Sequence, residues 1–235
     1  MITIPHYYYY GIDIYYIVLI LPAFLISLFA QIKVSSTFSK FSKTANTSGL
    51  TGAAAAQKVL LSHGVTNVKI ERVGGNLTDH FDPRTNVIRL SDAVYDSTSV
   101  AAVGVAAHEA GHAVQYAESY APIKLRNTIL PVVNFGSKFS FIAILLGIMF
   151  ANDLLIYIGI GLFSFATLFQ ILTLPVELNA SKRAMETIRG QVLLSDEEAN
   201  GAKKVLTAAA MTYIAAVVMS IAQLLRLLLL SRRRR

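Results

Sequence analysis

Residues 106–118 read Ala106-Ala107-His108-Glu109-Ala110-Gly111-His112-Ala113-Val114-Gln115-Tyr116-Ala117-Glu118. The core of this stretch is H-E-x-x-H, His108 to His112. On a helix the two histidines stand one turn apart on the same face. Two imidazoles so placed can hold one zinc ion, and Glu109 is positioned to handle the proton of a water activated there. The small residues Ala106, Ala107, Ala110, Gly111 and Ala113 let a second element come close. Gly111 in mid-helix costs about 1 kcal/mol relative to alanine, which predicts a packing need at that position.

The surroundings of this stretch are strongly apolar. Of 235 residues, 54% are hydrophobic and only 15% charged, and the mean hydropathy of +0.53 exceeds that of an ordinary soluble domain. The apolar residues come in blocks. Ile14 to Ile32 carries no charge, Val132 to Ala151 carries only Lys138, Leu154 to Leu174 is clean, and Val205 to Leu230 carries only Arg226. The first, third and fourth are long enough to span a bilayer, and the second, whose uncharged part Phe139 to Ala151 is only thirteen residues, must borrow the preceding turn to do so. Lys138 and Arg226 lie where their long side chains could reach the interface.

Between the first two blocks lies a polar insert. Thr51 can cap, and Gly64 can end, a helix over 50–64. Val68 to Val73, Leu77 to Phe81 and Val87 to Leu90 read as three strands of a short β-meander, separated by Gly74-Gly75-Asn76 and by 82–86. Ser97 or Ser99 can cap the H-E-x-x-H helix, which runs to about Tyr120. Pro122 is expected to end that helix, Pro131 to open the second span and Pro175 to break the third. A polar helix then covers 176–189, and Ser195 with Glu198 forms a capping box for the last helix.

The expected fold is a mainly α membrane protein of about four transmembrane helices, with a small zincin-like α+β catalytic insert carrying the meander. The expected divisions are 1–32, the first span; 33–130, the insert; 131–174, two spans; 175–204, a helix and linker; and 205–235, the last span with its basic tail. The Tyr7–Tyr10 cluster suits a membrane interface. The chain start lacks the basic region and cleavage site of a removed signal peptide, so the first span is expected to stay.

The net charge of +7 lies beside apolar blocks and in Arg232–Arg235, a pattern that suits a lipid bilayer partner and not nucleic acid. With no cysteine, disulfides and thiolate sites are excluded. Lys33, Lys40, Lys43, Lys124, Arg126, Lys182, Arg183, Arg189, Lys203 and Lys204 all fall on the polar-loop side, so those loops are expected to be cytoplasmic. The Arg232–Arg235 tail argues the reverse.

A zinc hydrolase needs a third protein ligand. Glu118 and Glu177 are the candidates. The H-E-x-x-H-x-x-G-x-x-H pattern would place a ligand at 118, but its helix-breaking glycine is Gln115 here. On an unbroken helix Glu118 stands about 80° away from His108. Glu177, in the run Leu174-Pro175-Val176-Glu177-Leu178-Asn179-Ala180-Ser181, would come from a second helix and is preferred.

Three separated motifs, SVAAVGVAAHEAGHAVQ at 99–115, TDHFDP at 78–83 and LPVELNASKRA at 174–184, resemble the YugP-like neutral zinc metallopeptidases of bacterial membranes. The resemblance covers nearly the whole chain. It implies a gluzincin-like membrane zinc metallopeptidase with His108, His112 and Glu177 as zinc ligands and Glu109 as catalytic base. The chain is more distantly similar to membrane peptidases of the HtpX and CAAX prenyl-protease type, whose third-ligand motif is E-x-x-x-D. Ser181 stands at the aspartate position here, leaving Asn179, Ser181 or Asp79 to orient a ligand histidine.

His80, on a strand beside the catalytic helix, is a candidate to stabilise an oxyanion or touch substrate; a hairpin residue bonded to its own turn is the alternative. His63 reads as a helix C-terminal residue. The leading expectation is a zinc endopeptidase acting on membrane-proximal polypeptides. The alternative is a metal-stabilised membrane scaffold without catalysis, which would have no need of Glu109. A solute transporter is disfavoured because the spans carry few ionisable residues.

Overall fold

A computed structural model of the chain describes residues 13–232, so Tyr7–Tyr10 and Arg233–Arg235 of the tail lie outside the described residues. The elements run α1 Leu21–Phe41, α2 Gly52–Ser62, β1 Lys69–Val73, β2 His80–Asp82, β3 Val87–Ser91, α3 Val100–Ala117, α4 Ala121–Met149, α5 Asp153–Gly190 and α6 Asp196–Arg232, with a π-helical turn, Tyr16–Ile20, leading into α1. Four helical stretches, Tyr16–Phe41, Ala121–Met149, Asp153–Gly190 and Asp196–Arg232, are long and apolar enough to cross a membrane. The protein is mainly α, with four candidate spans and one small sheet among the described residues.

Several local signals act as expected. Thr51 accepts from the Ala54 amide at 3.2 Å and starts α2. Ser99 accepts from the Ala102 amide at 3.2 Å and starts α3. Ser195 and Glu198 form the reciprocal capping box of α6, at 2.8 and 3.4 Å.

Three prolines behave differently from expectation. Pro131 lies inside α4 and Pro175 inside α5, so neither opens nor breaks a helix. Each removes one amide donor. Pro131 does so in an apolar stretch, where a helix must satisfy its backbone groups internally. Pro175 does so where Val176, Glu177 and Ala180 of α5 are buried by packing, which carries the helix through the defect. Pro122 does not end α3 either: that helix closes at Ala117 with Glu118 as its C-cap and Ser119 at φ 61°, and Pro122 occupies the first turn of α4, where its missing N–H costs nothing.

The sheet is not a meander. Its order is β1-β3-β2, with β1 parallel to β3 and β2 antiparallel to β3. Val87, Ile88 and Leu90 make β3 apolar and buried, as a central strand requires. Asp79 ties the start of β2 to the end of β3, accepting from the Ser91 amide at 2.7 Å and the Ser91 hydroxyl at 3.0 Å. β2 is thereby carried past β1 to the far side of β3 and becomes an edge.

The chain forms two compact units. One comprises the described residues up to Ala30, Asn127–Leu172 and Tyr213 onward. Its outer surface is apolar: Phe141 is 71% exposed and Phe135 64%, which suits lipid as the surrounding solvent. In this unit Arg226 is not a free interfacial cation. It forks onto Asp13, Nε reaching Oδ2 at 3.1 Å and Nη2 the same oxygen at 2.5 Å.

The other unit comprises Gln31–Arg126 and Thr173–Thr212. Its core joins Val59 and Leu60 of α2, Ile88 and Leu90 of β3, one face of α3, Ile188 of α5 and Leu206 of α6. The H-E-x-x-H helix runs through this core.

Candidate metal centre

Alanine and glycine make α3 thin. Ala106, Ala107 and Ala110 are fully buried, and a Cβ on Gly111 would stand 2.6 Å from the carbonyl oxygen of Ala180 on α5. Only glycine permits that approach, which is the packing need the sequence signalled. The contact brings the ligand-bearing faces of α3 and α5 together.

His108, His112 and Glu177 converge, with their ligand atoms all within 4.8 Å of one another. Glu177 Oε2 stands 3.4 Å from Nε2 of both His108 and His112. The two rings meet edge to face at 4.7 Å between centroids. Oε2 is buried and has no hydrogen-bond partner. A carboxylate oxygen left so is costly unless something else satisfies it. Three donors at the corners of a tetrahedron with bonds of about 2.0–2.1 Å lie about 3.3–3.4 Å apart. The spacing and the two-imidazole, one-carboxylate donor set therefore fit zinc.

The far side of each imidazole is engaged. His112 Nδ1 lies 3.1 Å from Gln115 Oε1. The Gln115 amide nitrogen donates to the Val176 carbonyl at 2.8 Å and to Asn179 Oδ1 at 2.9 Å. A carbonyl can only accept, so the amide nitrogen must face Val176 and the amide oxygen must face His112. His112 Nδ1 is then the donor, and its Nε2 lone pair points to Glu177. His108 Nδ1 meets the Ser181 hydroxyl at 3.0 Å. Of the three residues considered for orienting a histidine, Ser181 meets His108, Asn179 acts through Gln115, and Asp79 is committed to Ser91.

Arg126, from the first turns of α4, pairs with the other carboxylate oxygen, Nη1 to Glu177 Oε1 at 3.0 Å. Gln115 and Arg126 were not singled out from the sequence. Gln115 is a buried polar residue where a helix-breaking glycine was sought, and that mismatch was its signal. For Arg126 the signal was a cation on a helix heading into an apolar span.

Glu109 is partly buried on α3. Burial raises its carboxyl pKa above the ordinary range, with the charges of Glu177 and Asp79 adding to the effect and the His108 ring and Phe81 amide opposing it. β2 packs against α3, so the Phe81 amide lies beside the catalytic-base candidate. His80 is not in the three-residue group; it is exposed and its Nδ1 lies 2.7 Å from the Thr78 carbonyl. Glu118 is the C-cap residue of α3 and pairs with Arg183 and with His63 at 3.1 Å, outside the three-residue group. His63 is the C-cap residue of α2.

Residues 16–232 match a family model described as "Putative neutral zinc metallopeptidase". A curated relative, the "Putative membrane protease YugP" of Bacillus subtilis (strain 168), is 46% identical over 215 residues, covering 92% of this chain and 96% of the relative. No solved structure matches the chain.

Proposed function

The chain belongs to the "Putative neutral zinc metallopeptidase" family, and on that premise we propose that it is a membrane-bound zinc endopeptidase cleaving membrane-proximal polypeptides. The observation that carries the proposal is the buried, unpartnered Glu177 Oε2, 3.4 Å from two imidazole nitrogens. His108, His112 and Glu177 would hold the metal. Zinc in that position supplies a Lewis acid that polarises a scissile carbonyl and makes water nucleophilic near neutral pH.

The chain's own residues supply the rest. Glu109 takes a proton from the attacking water and delivers it to the leaving amine nitrogen. Gln115 holds His112 in the tautomer that presents Nε2. Arg126 balances the Glu177 charge from the side away from the histidines.

β2 is an edge of the sheet and packs on α3. An extended substrate can add to that edge as a further strand, which brings its backbone alongside Glu109. His80, exposed at the start of β2, is placed to contact such a strand. The similarity to the Bacillus subtilis relative supports a bacterial cell membrane location, and the lysine and arginine distribution before Arg232 supports a site on the cytoplasmic side.

The test is metal analysis and peptide cleavage with purified full-length protein. Glu109→Gln should retain zinc and lose about 10²–10⁴-fold in kcat/KM. Full activity in that variant would overturn the mechanism, and zinc without turnover in the unaltered protein would favour the scaffold alternative.

A further inference from the structure

A cavity of about 600 Å³ lies in the same compact unit as the metal centre, lined by side chains of α1 and α6. Lys33 and Lys40 enter it from α1, and Lys203 and Lys204 from α6; Phe41 and Met211 add apolar lining. The helices pack closely at the end away from the apolar stretches, where a Cβ on Gly201 would stand 2.7 Å from the Phe41 ring. All four lysines are exposed, and none has a carboxylate partner among the described residues. Lys40 sits over the Phe41 ring at 5.6 Å, which holds it at the cavity wall. Four unneutralised cations around one cavity repel one another, and that repulsion is relieved by an anion.

The sequence places this cavity at a definite depth. Lys33 is the first charge after the uncharged stretch Ile14–Ile32. Lys203 and Lys204 are the last charges before Val205 opens the apolar part of α6. Both helices are candidate spans. Lys33 and Met211 therefore mark the bilayer end of the cavity, and Lys40, about 10 Å further along α1, marks its outer end, so the cavity spans headgroup depth. A free phosphate would be satisfied by the cations alone. Met211 and the apolar run after Val205 lie on the bilayer side of Lys203 and Lys204, which suits a phosphate that carries acyl-glycerol.

We propose that the α1–α6 cavity binds the phosphate of an anionic phospholipid, with Lys33, Lys40, Lys203 and Lys204 as its cationic contacts. The site is separate from the peptidase residues, and its test does not depend on catalysis. Full-length protein in mild detergent is titrated with dioctanoyl phosphatidylglycerol, and bound lipid is counted by native mass spectrometry. Parallel arms use dioctanoyl phosphatidylcholine and inorganic phosphate as competitor.

Saturable binding of one phosphatidylglycerol is expected, weakened roughly tenfold or more in K33Q/K40Q/K203Q/K204Q. The control K43Q/K58Q/K69Q/R84Q removes the same charge elsewhere and should change binding less than about twofold. The all-arginine variant of the four cavity lysines should bind as the unaltered protein does, which keeps the test decisive if the glutamine variant misfolds. Equal loss in both glutamine variants, equal binding of phosphatidylcholine, or full displacement by equimolar inorganic phosphate would each overturn the proposal.

Discussion

Two arginine–carboxylate pairs, one in each compact unit, use the same chemistry to opposite ends. Asp13 accepts from Arg226 on both oxygens and from the Tyr16 amide at 2.9 Å. That pair is closed, with every carboxylate oxygen taken. Glu177 gives one oxygen to Arg126 and leaves the other buried and without a hydrogen bond before two imidazoles. A closed pair can often be replaced by apolar packing at little cost, here at the loss of the Tyr16 amide's acceptor. A half-open pair leaves one oxygen free for a further partner, which under the proposed function is the metal, so replacing it is expected to cost metal binding as well as packing. Completeness of hydrogen bonding, and not the presence of buried charge, is what differs between the two pairs.

Substitutions at the two pairs sharpen that distinction. The largest effect is expected for Glu177→Ala, which should reduce zinc content below about a tenth of stoichiometric at micromolar metal and abolish peptide cleavage; full zinc in this variant breaks the comparison. Next is replacement of both partners in each pair. Glu177→Leu with Arg126→Met should lose zinc like the single variant. Asp13→Leu with Arg226→Met should keep zinc and activity, with thermal stability in detergent changed by no more than about 1–2 kcal/mol. Loss of zinc in the second double variant would show that the closed pair is not merely structural.

Arg126→Met alone should leave the Glu177 charge unbalanced yet still ligating, weakening zinc affinity about 10–100-fold by competitive chelation. Gln115→Leu should have the smallest effect of the series, about tenfold in zinc affinity. Its distinguishing readout is the His112 ring in nitrogen-15 NMR spectra, where a mixture of tautomers should replace one.

The local rules read most of this architecture. The H-E-x-x-H helix, the caps at Thr51, Ser99 and Ser195, and the four apolar blocks all follow from interactions within a few residues. So does the meaning of Gly111, since a costly residue in a helix implies a compensating contact. The prolines depart from expectation because the rule that a proline ends a helix takes no account of surroundings and neighbouring elements that hold the helix through the defect. The strand order was hidden because β2 has three residues and its register depends on Asp79 reaching Ser91 across the sheet. A sign of it was present: Val87, Ile88 and Leu90 are more apolar than either other strand, as befits the middle. Arg126 and Gln115 act on residues 51 and 61 positions away, Glu177 and Val176, and no spacing rule extends so far.

The contact at Gly111 has a consequence for which ions the site can admit. Two helices separated by side chains can adjust their distance by changing rotamers. At Gly111 the separation is set by backbone against backbone, and no rotamer can widen it. The jaws that carry the histidines and the glutamate thus have a fixed gauge. Under the proposed function, only the side chains of His108, His112 and Glu177 would remain free to adjust to an ion, and an ion that needs six to eight oxygens at longer range is expected to bind more weakly than zinc.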